Sequence, residues 1–197
     1  MRTAILARHG ESEMNTQDAL NGSVDAAIRL TPAGEEQARR LGEELAAEPI
    51  GFCVTSALAR TRQTAELALT GRDVPTEAWP ELNDPRYGAF EGGPFQAYRD
   101  WAWAHGSADV PPGDGESRHS IVTRYAGAFR GVLQRPEDTV LVVAHSLPLA
   151  YVLGAVDGAD PARRMQLVEY ATAHRLDAAA LETAVDRLEA WCAAPTW

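Results

Sequence analysis

"AILARHGESEMN", residues 4–15, decides the fold. An apolar run stops abruptly at Arg8 and His9, and a glycine follows at once. A short apolar run ending in polar residues and glycine reads as a buried strand delivering side chains from its carboxyl end. Two more runs have the same character, "GFCVTS" (51–56) and "TVLVVAH" (139–145). With "TAILA" (3–7) they predict three buried strands.

Helical patterns lie between them. "TPAGEEQARRLGEELAAE" (31–48) opens with Thr31 as N-cap and Pro32 at the first helical position. "SALARTRQTAELAL" (56–69) and "ESRHSIVTRYAGAFRGVLQR" (116–135) carry apolar residues near a 3.6 period. "QLVEYATAHRLDA" (166–178) alternates enough for one or two further strands, and an amphipathic helix is expected over 178–193. This β–α alternation predicts an α/β fold: a three-layer α/β/α sandwich around a mostly parallel central sheet. The 197 residues suit a single domain. The Gly/Pro- and aromatic-rich stretch at 92–117 is expected to be an insertion over the sheet.

Composition excludes several functions. The formal charge of −10 disfavours a nucleic-acid binder. No run is long and apolar enough for a membrane span or a signal peptide. Cys53 and Cys192 have no metal-ligand spacing, and a reduced cytoplasmic setting is expected. All 18 basic residues are arginine, so Walker, Schiff-base and pyridoxal lysines are ruled out. No metal site is expected on His105 or His119, which lack clustered carboxylates or an H-E-x-x-H spacing.

Ligands of open α/β sheets collect at the carboxyl ends of strands. Here the three exits read "ARHGE", "TSALARTRQT" and "AHSLP". Together they bring two histidines and at least two arginines to one edge. Such a set suits a tetrahedral dianion, because guanidinium donors match phosphate oxygens and a histidine can accept a phosphoryl group. Glu81, Asp84 and Glu91 in "ELNDPRYGAFEGG" offer a proton donor for the leaving oxygen.

These residues resemble the histidine phosphatase superfamily, the phosphoglycerate-mutase-like fold. "RHGES" is similar to its signature, and the likeness continues in order through "LTPAGEEQARRLGEEL", "TSALARTRQTAE", "LNDPRYGAFEG", "GESRHSIVTR" and "VVAHS". The resemblance spans roughly residues 3–150. It implies His9 as the phosphorylated nucleophile, Arg8, Arg60 and His145 as holders of the phosphoryl oxygens, and Asp84 as general acid. It also implies Asn15, Asn21 and Gly22 as contacts to phosphate or substrate, with Glu91 and Glu116 as supporting acids. Arg62, two residues past the clamp arginine, is expected to face elsewhere.

The sequence departs from the family pattern in three places. Asp stands at 84 where Glu is more usual, and Ser146 follows the second histidine where Gly is common. Ser146 either adds a hydroxyl at the phosphate or caps the helix starting there. The mutase branch carries lysine and paired arginines in a longer insertion, whereas 92–117 holds Arg99 as its only basic residue, beside Phe95, Tyr98, Trp101 and Trp103. The resemblance therefore favours a metal-independent phosphomonoesterase, without cofactor, acting on a small phosphate ester or binding inorganic phosphate. Mutase-type phosphoryl transfer is the alternative. More remote are a non-catalytic phospho-ligand binder and a serine hydrolase on Ser146, with Asp157 or Asp160 and His174 following in order. The physiological substrate is not legible, and homodimer formation stays open.

Overall fold

The computed structural model describes residues 1–197. Five strands form one sheet: β1 (Thr3–Arg8), β2 (Phe52–Thr55), β3 (Thr76–Ala78), β4 (Thr139–Ala144) and β5 (His174–Asp177), in the order β3-β2-β4-β1-β5. The first four are parallel, and β5 runs antiparallel to β1 at one edge. The helices are α1 (Glu13–Thr16), α2 (Pro32–Glu44), α3 (Ala59–Ala68), α4 (Phe95–Ala104), α5 (Arg118–Leu133), α6 (Ser146–Val156) and α7 (Ala178–Ala193).

The two-residue period of a strand explains the layers. Ala4 and Leu6 of β1, with Val140 and Val142 of β4, join a core built from α5, α6 and α7. Ile5 and Ala7, with Leu141 and Val143, point the opposite way into a second core with α2 and α3. Both faces being covered, the strands read as continuous apolar runs rather than alternating ones.

Most element boundaries follow local chemistry. Thr31 caps α2, its hydroxyl accepting from Gly34 N–H, and Pro32 fills the first helical position. That helix is shorter than 31–48: it stops at Glu44, and Arg72 donates to the carbonyls of Leu45 and Glu48 just beyond. The second helix begins at Ala59 rather than at residue 56, because Ser56 to Leu58 form the turn out of β2. Of the alternating stretch at 166–178, only His174–Asp177 becomes a strand; Tyr170 makes a single bridge to Arg8. The edge strand β3, the short α1 and the helix α4 go beyond the elements expected from periodicity.

Strand register positions the site. Arg8 lies level with Ala144, and His9 N–H donates to the Ala144 carbonyl at 3.0 Å. His9 and His145, each one residue past its strand, therefore emerge side by side, their ring centroids 5.1 Å apart. On the other side of β4, Thr55 pairs with Val143, which brings Ser56 beside His145.

Candidate active site

Arg8, His9 and Arg60 line one cavity of about 300 Å³, with Asp84, Asn15, Asn21 and Ser146 in its wall. His145 is fully buried behind them. Each of these side chains is held by identifiable partners.

His9 is the best defined. Its Nδ1 lies 2.7 Å from the Gly10 carbonyl. A carbonyl can only accept, so Nδ1 carries the proton and Nε2 presents its lone pair. Burial, reinforced by the Arg60 and Arg8 guanidiniums, holds the imidazole pKa well below its usual range. His9 is thus neutral, with one tautomer fixed and a nucleophilic nitrogen turned toward Arg60 Nε at 3.2 Å.

Arg60 is the hub. It starts from the first turn of α3 and is buried. Nη1 donates to Asn21 Oδ1 at 2.8 Å, and Nη2 donates to the Asn21 carbonyl at 2.9 Å and to Asp84 Oδ2 at 2.6 Å. Arg62, by contrast, is exposed, as the i to i+2 spacing requires. Arg8 donates from Nη1 to the Val168 carbonyl at 2.8 Å and lies 3.8 Å over the Tyr170 ring. Its Nε is buried with no hydrogen-bond partner.

Asp84 Oδ2 also lies 3.2 Å from His145 Nδ1. Burial raises the Asp84 carboxyl above the ordinary aspartate value, against the pull of Arg60. The segment that carries it is clamped from outside. Glu116 accepts twice from Arg124, at 2.9 and 2.8 Å, and Arg124 donates onward to the Asn83 carbonyl. Glu91 plays the same part for the opposite loop, accepting from Asn21 Nδ2, Gly22 N–H and Ser23 N–H.

His145 Nε2 meets Ser56 Oγ at 2.8 Å, and Ser56 Oγ in turn meets Thr61 Oγ1 at 2.8 Å. Burial is the main cause that lowers the His145 pKa, with Arg60 next. Nothing in the sequence marks Ser56 and Thr61 except their place at the second strand exit.

Two residues, Gly22 and Ser146, sit differently from expectation. Gly22 does not line the cavity of His9. Its N–H is taken by Glu91 at 2.8 Å, and a Cβ there would collide with the Pro85 carbonyl oxygen, so the glycine permits two loops to touch. Asn15 is at the wall, but its Oδ1 accepts from Ser12 N–H at 2.9 Å and Ser12 Oγ at 2.8 Å, capping α1. Ser146 does not cap the helix that starts there: His145 holds the N-cap position of α6, and Ser146 Oγ accepts from Val168 N–H at 2.8 Å. Asp157 lies past the opposite end of the 11-residue helix α6, about 16 Å away at 1.5 Å per residue. Asp160 is paired with Arg187 at 2.7 Å. The Ser–His–Asp arrangement therefore does not assemble.

The far wall of the cavity holds Phe95, Tyr98, Arg99 and Trp103 from α4, Arg118 from α5, and Arg163 and Met165 from the 157–173 connection. Trp101 turns away, stacking on His105 at 4.4 Å. His105 Nδ1 meets the Trp101 carbonyl and His119 Nε2 the Cys192 carbonyl.

The arrangement presents a neutral imidazole nitrogen, two guanidiniums and a carboxyl of raised pKa to one point. Comparison with known proteins shows the family. The family model for the histidine phosphatase superfamily (branch 1) matches residues 4–190. A 2,3-bisphosphoglycerate-dependent phosphoglycerate mutase of Methylobacterium sp. (strain 4-46) is 38% identical over 172 residues, covering 80% of this chain and 81% of that protein. An uncharacterized phosphatase, PhoE, of Bacillus subtilis (strain 168) is 31% identical over 166 residues, covering 82% and 80%. Among solved structures, a putative alpha-ribazole-5'-P phosphatase from Escherichia coli superposes with a TM-score of 0.76 at 27% identity, covering 89% of this chain and 90% of that one. The chain belongs to the histidine phosphatase superfamily.

Proposed function

We propose that the protein is a phosphomonoesterase that works through a phosphohistidine on His9. The observation that carries this reading is the fixed His9 tautomer: the Gly10 carbonyl holds the proton on Nδ1 and leaves the lone pair on Nε2, which accepts from Arg60 Nε–H until a phosphoryl group takes that place. Nε2 attacks phosphorus in line, and the N–P bond forms as the ester P–O bond breaks. Arg8 and Arg60 hold the equatorial oxygens, where phosphoryl transfer needs positive charge most. Because two guanidiniums supply that charge, the reading requires no metal ion. Asp84, whose carboxyl burial raises above the ordinary aspartate value, is the group that gives a proton to the departing alcohol oxygen. Water then attacks the phosphohistidine, the N–P bond breaks, and the water proton passes to Asp84. Inorganic phosphate leaves.

Two free cysteines fit a cytoplasmic setting for this chemistry. No helix is long and apolar enough to cross a membrane. The segment at 92–117 serves as the specificity cover, through α4. The test is phosphate release from phenyl phosphate in the presence of a chelator. Turnover in the native chain and its loss in His9→Ala are expected; turnover that survives the substitution would overturn the mechanism.

Mutase-type transfer is the second reading, favoured by the relatives named as mutases. The lone Arg99 within 92–117 undercounts the cations available, since Arg118 and Arg163 reach the same cavity from other segments. A phosphoglycerate supplied with a bisphosphorylated primer separates the two readings. Net phosphate release supports the phosphatase, and positional isomerisation without release supports the mutase.

A further inference from the structure

The stretch "LTPAGEEQARRLGEEL" (30–45) supplies α2 and lines no part of the His9 cavity, yet one of its side chains reaches the loop behind His9. Gln37 Oε1 accepts from Glu11 N–H at 2.8 Å. A backbone N–H can only donate, so it is the amide oxygen that faces it. Glu11 N–H and the Gly10 carbonyl belong to one peptide unit, and a planar trans peptide sends the two to opposite edges. The Gly10 carbonyl lies 2.7 Å from His9 Nδ1. Gln37 thus grips one edge of the peptide whose other edge holds the His9 proton.

Local sequence makes this contact. Gly34 is buried in the first turn of α2, and a Cβ there would collide with the Glu11 carbonyl oxygen. Without that Cβ the helix start lies against the loop, and Gln37, three residues on, shares the same face. Thr31 N–H donates to the Glu11 carbonyl at 3.0 Å and fastens the next peptide. From α3, Thr64 Oγ1 accepts from Gly10 N–H at 3.0 Å and donates to the Arg60 carbonyl at 2.7 Å. The peptides on the two sides of Gly10 are therefore held by different helices. Only the one gripped by Gln37 presents its carbonyl to the His9 ring.

We propose that Gln37 is a positioning residue for the nucleophile: through the Gly10–Glu11 peptide it keeps the proton on His9 Nδ1 and the lone pair on Nε2. This rests on the phosphohistidine reading of His9. Arg60 Nε–H also donates to Nε2, at 3.2 Å, but a phosphoryl group has to displace that contact before attack. From then on the tautomer depends on the Nδ1 side alone, while each phosphoryl oxygen is an acceptor that favours a proton on Nε2. A peptide free to rotate would let the proton move; one gripped at both edges holds it. A peptide and an amide thereby do for this imidazole what a buried carboxylate does in a Ser-His-Asp triad. Hydrogen bonds in series polarise one another, so the Gln37 amide also strengthens the Gly10 carbonyl as an acceptor.

Nitrogen NMR of the chain labelled with ¹⁵N-histidine reads the tautomer without substrate, and His9→Ala identifies the His9 resonances. The native chain is expected to show Nδ1 protonated and Nε2 bare. Gln37→Met keeps the length and loses the acceptor; it should move the two resonances toward each other and lower kcat/KM for phenyl phosphate about tenfold. The inhibition constant of inorganic phosphate should stay within about twofold, because Arg8 and Arg60 are untouched. Gln37→Glu retains an acceptor at the same reach and should recover kcat/KM to within about threefold of native. Gln63→Met is the matched control. Gln63 Oε1 accepts from Leu30 N–H at 3.0 Å, a bond of the same kind that leaves the Gly10–Glu11 peptide alone, so both readouts should stay near native. Unmoved His9 resonances or an unchanged kcat/KM in Gln37→Met overturn the proposal. So does a loss in Gln37→Glu or Gln63→Met as large as that in Gln37→Met. Should Gln37→Met fail to fold, Gln37→Ala is read in its place, and native His9 protonated on Nε2 overturns the proposal whatever the variants do. Phenyl phosphate left intact by the native chain defeats the phosphomonoesterase reading, while the resonances still decide whether Gln37 sets the tautomer.

Discussion

The two ends of the cavity are built by different means. At the phosphate end, His9, Arg60, Asp84 and His145 are joined by direct contacts of 2.6–3.4 Å, and nearly every polar atom has a partner. At the far end, aromatic side chains of α4 meet residues from α5 and from the 157–173 connection, and two buried polar atoms have no partner. The first end is preorganised for charge, which is what a phosphoryl transition state rewards. The second is lined mainly by apolar and aromatic side chains. On the proposed reading, one end carries the reaction and the other contacts the rest of the substrate.

Substitutions can break that division. The largest effect after loss of the nucleophile is expected at Asp84. Asp84→Asn keeps the shape but removes the transferable proton, and kcat/KM for an alkyl phosphate should fall by roughly 10² to 10⁴. For p-nitrophenyl phosphate, whose leaving oxygen needs little protonation, the loss should be far smaller. The pH profile supplies the sign. His9 has a lowered pKa, so the nucleophile stays neutral well into acid and activity falls only as pH drops through that value. Asp84 has a raised pKa, so the acid stays protonated above the ordinary aspartate range and activity falls as pH rises through it. Asp84→Asn should abolish the alkaline limb of kcat/KM and spare the acid limb. An alkaline limb that persists in the variant would assign the acid elsewhere.

A smaller effect is expected at Ser56. Its hydroxyl is the sole side-chain partner of His145 Nε2, and Ser56→Ala should cost about tenfold in kcat/KM, equivalent to one hydrogen bond of about 1.4 kcal/mol to a group that touches the site. Ser56→Thr, which keeps the hydroxyl, should recover most of it. Ser146→Ala should change turnover only severalfold, because that hydroxyl is engaged with Val168 N–H. A collapse of activity there would revive the serine hydrolase reading.

The smallest effect on chemistry belongs to the far end. Trp103→Ala should raise KM severalfold for bulky esters and leave kcat near its native value, since Trp103 lines the cavity without touching His9, Arg60 or Asp84. An equal fall in kcat would mean that α4 also positions the reacting groups.

The same division explains what the sequence discloses. The phosphate end is legible because parallel strands in register deliver consecutive residues to one edge, so "RHG" and "AHS" report their spatial neighbours directly. Asn21 is legible only by resemblance, and the reason for it, the two hydrogen bonds from Arg60, is tertiary. Gly22 misleads for a related reason: its neighbour is the Pro85 backbone and not a ligand. The far end is hidden because its residues are scattered over positions 95 to 167 with no common motif. Arg118 in particular looks like any exposed arginine at a helix start until its burial is known. Helix α4 is obscured by flanking Gly and Pro, although its aromatic residues at 95, 98 and 101 share one face and pack near Tyr87 and Phe90.

The central claim is that His9 becomes covalently phosphorylated. Rapid acid-free quenching of the native chain during turnover of a ³²P-labelled phosphate ester, followed by peptide mapping, tests it most directly. The account predicts a label that is stable in base, labile in acid, confined to the peptide containing His9 and absent from His9→Ala. Steady turnover with no chain-bound label at any quench time, or a label on Ser146, would contradict it.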